Sequence, residues 1–235
     1  MGHRSSRVSR GGTSVKSYPI NLVRLEKKRC VVVGGGDVAF RKARSLLEAG
    51  AQQVVVISPR LDDGLSQLQR RGRIQHIARG YRPGDLKGAF LVIGTTDDPE
   101  VNCSVAQEAE AEGILLNVVD DPGRCNFIVP STLRRGDLVI GVSTGGQSPA
   151  LAASLRRELE RTLGSEYSGF LELAGDLRHR AARELPASAR ACFWHDLAGS
   201  QALALLRDGQ EDQARSLANE LLAAHLARAN GDARR

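Results

Sequence analysis

Between Tyr18 and Pro122 of this 235-residue chain, short unbroken apolar runs alternate with polar stretches of helical spacing. Cys30–Val33, closed by three glycines, has the length and β-branched content of a strand buried on both faces. In Asp37–Ala51 the apolar positions Val38, Ala39, Ala43, Leu46 and Leu47 recur at helical spacing and end at Gly50, which predicts an amphipathic helix. Gln53–Ile57 reads as a second buried strand, and a polar helix over Asp62–Arg71 leads to a short strand at Ile74–Ile77. Two more strands are predicted in "AFLVIGTT" and "ILLNVVDD", with a helix between them capped by Asp98 and carrying Pro99 in its first turn. The order predicts an α/β fold, a Rossmann-like doubly wound parallel sheet over residues 18–122.

Past Pro122 the rhythm changes. Residues 123–146 offer two strands joined at Arg135-Gly136-Asp137 with no helix between them, so antiparallel pairing is expected of this small β segment. Residues 147–235 read as a helical domain, with segments at Ser148–Gly164, Tyr167–Glu184, Ala187–Leu197 and Asp212–Ala229. Residues 1–17 are Gly/Ser-rich and predict a disordered basic tail.

Charge changes the picture little once it is located. The net charge is +6, but Arg4, Arg7, Arg10 and Lys16 lie in the tail, and removing them leaves 29 basic against 27 acidic residues. That balance argues against a nucleic-acid partner. No apolar run approaches the roughly 18 residues of a membrane span, so no membrane association is expected. Cys30, Cys103, Cys125 and Cys192 are too scattered for a zinc site or a disulfide framework and fit a reducing cytoplasm.

The candidate chemistry starts at the first glycine turn. Gly34, Gly36 and Ala39, with Gly35, Asp37 and Val38 between them, form G-x-G-x-x-A between a strand and a helix. The first glycine allows a tight turn, the second lets backbone approach a pyrophosphate, and the small third residue allows close packing. The usual acid at the end of the second strand is replaced by Ser58-Pro59-Arg60. Ser58 could bond a ribose hydroxyl and Arg60 a 2′-phosphate or only solvent, so these residues leave NAD and NADP open. Thr95 and Thr96, at the end of "LVIG", either reach the nicotinamide half of the cofactor or cap the next helix.

Asp120 follows "ILLNVV" at a predicted strand end, where an apolar wall would suit it to accept a proton; a turn acid is the equal alternative. Asp121, beside Pro122, reads as a turn residue. In "VSTGGQSPALA", Ser143, Thr144, Gly145 and Ser148 either hold carboxylates of an anionic substrate or, for Ser148, cap a helix.

In order, "YPINL", "VVVGGGDVAFRKARSLLEAGA", "TTDDPEVN", "LLNVVDDPGRCNFIVPS" and "GVSTGGQSPALAASLRRELE" resemble the precorrin-2 dehydrogenase family, which includes the dehydrogenase/ferrochelatase module of siroheme synthases. The resemblance runs from about Tyr18 to Leu197. It implies oxidation of precorrin-2 to sirohydrochlorin with NAD as hydride acceptor, insertion of Fe2+ into sirohydrochlorin in many members, and a homodimer interlocked through the β segment and following helices. Gly36, Asp37, Val38, Ser58 and Pro59 would line the dinucleotide. Asp120 matches the family's acid–base aspartate, and Thr144 a position that is Ser in some members, in the loop facing the tetrapyrrole. Asn117, Arg124, Ser143, Thr144, Gly145 and Ser148 are the expected substrate contacts. Arg134, Arg135, Arg156 and Arg157 are further candidates for pairing with the substrate's carboxylates. Methylation, the work of a further domain in long siroheme synthases, is not expected.

The principal alternative is a dimeric NAD(H)-binding regulator without catalysis. Against it stands the lack of a recognisable DNA-reading segment. A methyltransferase on the same fold is disfavoured by the missing acid of the second strand.

Overall fold

The computed structural model describes residues 17–232. The tail expected to be disordered falls, up to Lys16, outside the described residues. Contacts divide the described chain between Val129 and Pro130 into two compact units.

The first unit is the predicted α/β layer structure. Five strands, β1 (Arg29–Val33), β2 (Gln53–Ile57), β3 (Gln75–Ile77), β4 (Leu91–Gly94) and β5 (Leu115–Val118), form one sheet in the order β3-β2-β1-β4-β5. All neighbours run parallel, with Val32 level with Val56 and with Ile93. The valines and isoleucines of β1, β2 and β4 are buried on both sheet faces, which is why their sequences are continuous rather than alternating. Each fully buried one contributes about 1.5–3 kcal/mol of burial free energy. Helix α1 (Asp37–Glu48) lays Ala39, Ala43 and Leu46 on one face, with α2 (Asp63–Arg70) beside it; α3 (Pro99–Ala111) lays Val105 and Ala109 on the other. Asp62 and Asp98 cap α2 and α3 through their side chains, as the capping pattern requires.

The edge strand β5 is closed by the chain that follows it. Asn126 Oδ1 accepts from the Leu116 amide at 2.7 Å and Asn126 Nδ2 donates to the Ile114 carbonyl at 2.8 Å, so one side chain serves in place of a neighbouring strand. Asn117 Nδ2 donates to the Phe127 carbonyl at 3.1 Å, and the Cys125 thiol lies 3.2 Å from the Val118 amide. These bonds fold residues 119–127 back over the strand end.

In the second unit, β6 (Ser131–Arg135) and β7 (Leu138–Val142) pair antiparallel around the expected turn. Helices α4 (Pro149–Thr162), α5 (Glu166–Glu184), α6 (Ala187–Ala198), α7 (Ala202–Arg207) and α8 (Glu211–Asp232) follow. Leu173, Leu177 and Ala181 of α5, Phe193 and Leu197 of α6, and Ala214, Ala218 and Leu222 of α8 form a separate core. The short α7 lies in a stretch the sequence reading left without an element. Among the described residues, no helix is long and apolar enough to cross a membrane.

Replacing Asn126 with Ala leaves a buried-edge donor and acceptor unpaired. The expected loss of stability is about 1–3 kcal/mol, read as a lower urea midpoint with an unchanged slope.

Candidate functional site: a dinucleotide crevice at the strand-order reversal

Strand order reverses between β1 and β4, where a doubly wound sheet opens a crevice at its carboxyl edge. Because β1, β4 and β5 are parallel, the glycine turn, Thr95-Thr96 and Asp120 all emerge at that same edge. Main-chain bonds link the three exits: Thr95 N–H donates to the Val33 carbonyl at 2.8 Å, and Val119 N–H to the Gly94 carbonyl at 2.9 Å. Two strand spacings, about 10 Å, separate the ends of β1 and β5.

The three glycines answer to different constraints. Gly34 has φ of 126°, and a Cβ there would fall on the Thr95 hydroxyl. At Gly35 a Cβ would fall on the Arg60 carbonyl and the Ser58 hydroxyl. Both are required by the fold itself. Gly36 is exposed, extended (φ −90°, ψ −171°), and a Cβ on it would meet nothing within 4 Å. It is also the N-cap of α1 and supplies no side-chain cap, so the first amides of that helix face open space. Free amides, the positive end of the helix dipole and room for close approach suit a pyrophosphate. Ala39, fully buried against β1 and β2, provides the close helix–strand packing expected of it. Val38 is half-buried, and Asp37 is exposed and paired with Arg41 at 3.1 Å.

The neighbouring polar groups are partly committed to the chain. Ser58 is 4% exposed, and its hydroxyl accepts from the Arg60 amide at 3.1 Å and also contacts the Arg60 carbonyl, while Pro59 and Arg60 are exposed. Thr95 donates through its hydroxyl to the Val33 carbonyl at 2.9 Å, and the Thr96 hydroxyl accepts from the Asp98 amide at 3.2 Å. Behind them Asn102 donates to the Thr96 carbonyl at 2.9 Å. Its Oδ1 is the buried side-chain polar atom without a partner among the described residues.

Asp120 is exposed, in contrast to the apolar wall expected around it, because β5 ends at Val118 and the chain turns outward. Its backbone is left-handed (φ 62°), a conformation that Asp tolerates better than most residues. Asp121 pairs with Arg124 in the same turn, and Asn117, 9% exposed, holds Phe127. Burial pushes the Cys125 thiol up from its ordinary value, with the Asp121 charge adding to the rise. Sequence reading passed over Lys42, Asn102 and Asn126. A lysine in an Arg-rich helix and two asparagines beside loops carry no distinguishing pattern.

In the second unit, Gly145 and Gly146 adopt positive φ (61° and 79°), and the loop closes on itself. The exposed Ser143 accepts from the Gly145 amide at 3.3 Å, Thr144 from the Ser148 amide at 3.0 Å, and Ser148 from the Leu151 amide at 3.2 Å. Ser148 is thus the N-cap of α4. Arg135 donates to the carbonyls of Leu163 and Glu160, and Arg156 pairs with Glu160, so both are tied to α4. Arg134 and Arg157 are exposed. Among the described residues, no group of three or more His, Cys, Asp or Glu is placed to hold a metal.

These features define a dinucleotide-binding protein of the doubly wound class. Residues 22–131 match an NAD(P)-binding family, residues 135–162 the sirohaem biosynthesis protein central family, and residues 166–222 the sirohaem synthase dimerisation region. Siroheme synthase of Methylobacillus flagellatus is 39% identical over 88% of this chain and 44% of its own length. Siroheme synthase 3 of Aeromonas hydrophila is 43% identical over 85% of this chain and 43% of its own length. The chain therefore spans under half the length of these relatives. The solved structure of SirC, a precorrin-2 dehydrogenase, superposes with a TM-score of 0.71 at 21% identity, over 87% of this chain and all of that one. The chain is therefore similar along most of its length to siroheme synthases, and in fold to a precorrin-2 dehydrogenase.

The difference between the glycines is testable. Gly35→Ala is expected to lower the melting temperature. Gly36→Val should leave it within about 1–2 °C of wild type while weakening NAD+ binding at least tenfold by calorimetry, one tenfold step being about 1.4 kcal/mol. Equal affinities in the Gly36→Val and wild-type proteins would show that the phosphates bind elsewhere.

Proposed function

We propose that this chain oxidises precorrin-2 to sirohydrochlorin with NAD+ in siroheme biosynthesis. The observation that supports the reading is the shared sheet edge: the open cradle at Gly36 and the turn carrying Asp120 leave the sheet at the same end, in a chain similar to siroheme synthases. Bound NAD+ supplies the hydride acceptor. The Gly36–Val38 amides hold its pyrophosphate, and Thr95 and Thr96 border the path toward β5. Asp120 takes the proton that must leave the macrocycle with each hydride, so that two electrons and two hydrogens are removed and a carbon–carbon or carbon–nitrogen double bond forms. Asp120 is exposed, which leaves it reachable by a large, rigid substrate.

In the second unit, the loop at Ser143–Ser148 with Arg134 and Arg157 offers hydrogen-bond donors and cations suited to the carboxylates of an anionic substrate. The match to a dimerisation region supports a homodimer, and the four free cysteines fit a cytoplasmic setting. Fe2+ is a second substrate on this reading: metal insertion also requires a base for two pyrrole protons, and Asp120 would serve it.

Anaerobic incubation of the protein with precorrin-2 and NAD+ should produce sirohydrochlorin absorbance and NADH together. Asp120→Asn, which suits the left-handed backbone, is expected to lower kcat by about 100-fold or more while NAD+ affinity stays. An active Asp120→Asn protein would refute the assignment, and an inactive wild type would refute the reaction. A parallel assay with sirohydrochlorin and Fe2+ reads the iron step.

A further inference from the structure

In doubly wound folds the adenosine ribose lies over the end of the second strand, where an acid commonly takes its hydroxyls. Here β2 ends at Ile57, and the next residue is Ser58. Its hydroxyl is turned inward and used: Ser58 is 4% exposed, accepts from the Arg60 amide at 3.1 Å and donates to the Arg60 carbonyl. Buried and bonded on both sides, it is not presented to a ribose. The acids that follow belong to α2. Asp62 caps that helix, its Oδ1 taking the Leu65 amide at 2.7 Å, and Asp63 opens its first turn.

What the turn after β2 does present is Arg60. The segment is pinned on both sides. The Ser58 amide donates to the Ile77 carbonyl at 3.2 Å, and the His76 ring donates through Nε2 to the Ser58 carbonyl at 2.9 Å. Opposite them, the Asp62 amide donates to the Gly35 carbonyl at 2.8 Å, and a Cβ on Gly35 would fall on the Arg60 carbonyl. The Arg60 main chain is thus packed against the residue before Gly36, the open cradle for a pyrophosphate. Its residue is exposed and, among the described residues, enters no ion pair. A guanidinium is permanently charged and carries forked donors, which match a phosphate better than any other side chain does.

We infer that the crevice takes a 2′-phosphorylated dinucleotide, NADP+, at least as tightly as NAD+, with the Arg60 guanidinium holding the 2′-phosphate. The inference rests on the reading of the crevice as the dinucleotide site and is independent of the tetrapyrrole chemistry. With an acid at the strand end, a 2′-phosphate would meet a like charge; with Arg60 there, it meets an opposite one.

Calorimetric titration of the full chain with NAD+ and, separately, with NADP+ tests this without any tetrapyrrole. The dissociation constant for NADP+ should equal or fall below that for NAD+. Arg60→Ala is expected to raise the ratio of the NADP+ constant to the NAD+ constant about tenfold. Arg60→Glu should raise it further, because a like charge then faces the phosphate. A wild-type protein that binds NADP+ more weakly than NAD+ overturns the inference and leaves the proposed oxidation standing. An unchanged ratio in Arg60→Ala overturns the part given to Arg60, and binding of neither dinucleotide overturns both readings. A protein that binds NADP+ as expected yet makes no sirohydrochlorin from precorrin-2 supports the inference and counts against the reaction alone.

Discussion

The close approach of the β1 turn to the end of β4 governs the geometry of the first unit. Gly34 passes so near Thr95 that no side chain fits between them, and the Thr95 amide and hydroxyl both close on the Val33 carbonyl. This contact brings the two central strands to a common edge just where the strand order reverses. From there the positions of the other exits follow: the Gly94 carbonyl takes the Val119 amide, and Asp120 comes next. A displacement of the first turn would move every group that the crevice uses.

Around that contact, polar side chains mostly do structural work. Ser58, Thr95, Thr96 and Asn117 are each engaged by main-chain groups within the unit, and the loop at Ser143–Ser148 is bonded to itself in the other. What stays available at the crevice is main chain at the start of α1 and a charged group at the end of β5. Binding of a pyrophosphate through amides is indifferent to side-chain identity, whereas the ribose contact that an acid commonly makes falls at Ser58-Pro59-Arg60 in this chain.

The strands were legible because buried parallel strands need unbroken Val, Ile and Leu, and glycines bound those runs in this chain. The caps at Asp62, Asp98 and Ser148 were legible because a short acceptor before a helix has one good use. The resemblance of the linked motifs pointed to the same proteins, the siroheme synthases, to which the comparisons then found the chain similar. Three things could not be read. Helix α7 lies in an Ala/Leu run too short to show a period, and its burial depends on packing against α5 and α8. The outward turn at Asp120 depends on where Cys125 and Asn126 return to β5, a contact between residues whose types do not announce it. Lys42 sits between two arginines of an ordinary amphipathic helix, a pattern that reads as a solvated face, yet it is half-buried.

The three adjacent glycines carry an evolutionary consequence. Two of them are held by atoms of the chain itself, and the third is held by none. A descendant that gave up its cofactor would go on needing Gly34 and Gly35 to fold, yet nothing would stop Gly36 from drifting to another residue. A glycine-rich turn surviving in some distant homologue is therefore weak testimony of retained nucleotide binding, and the state of the third position is the one to inspect.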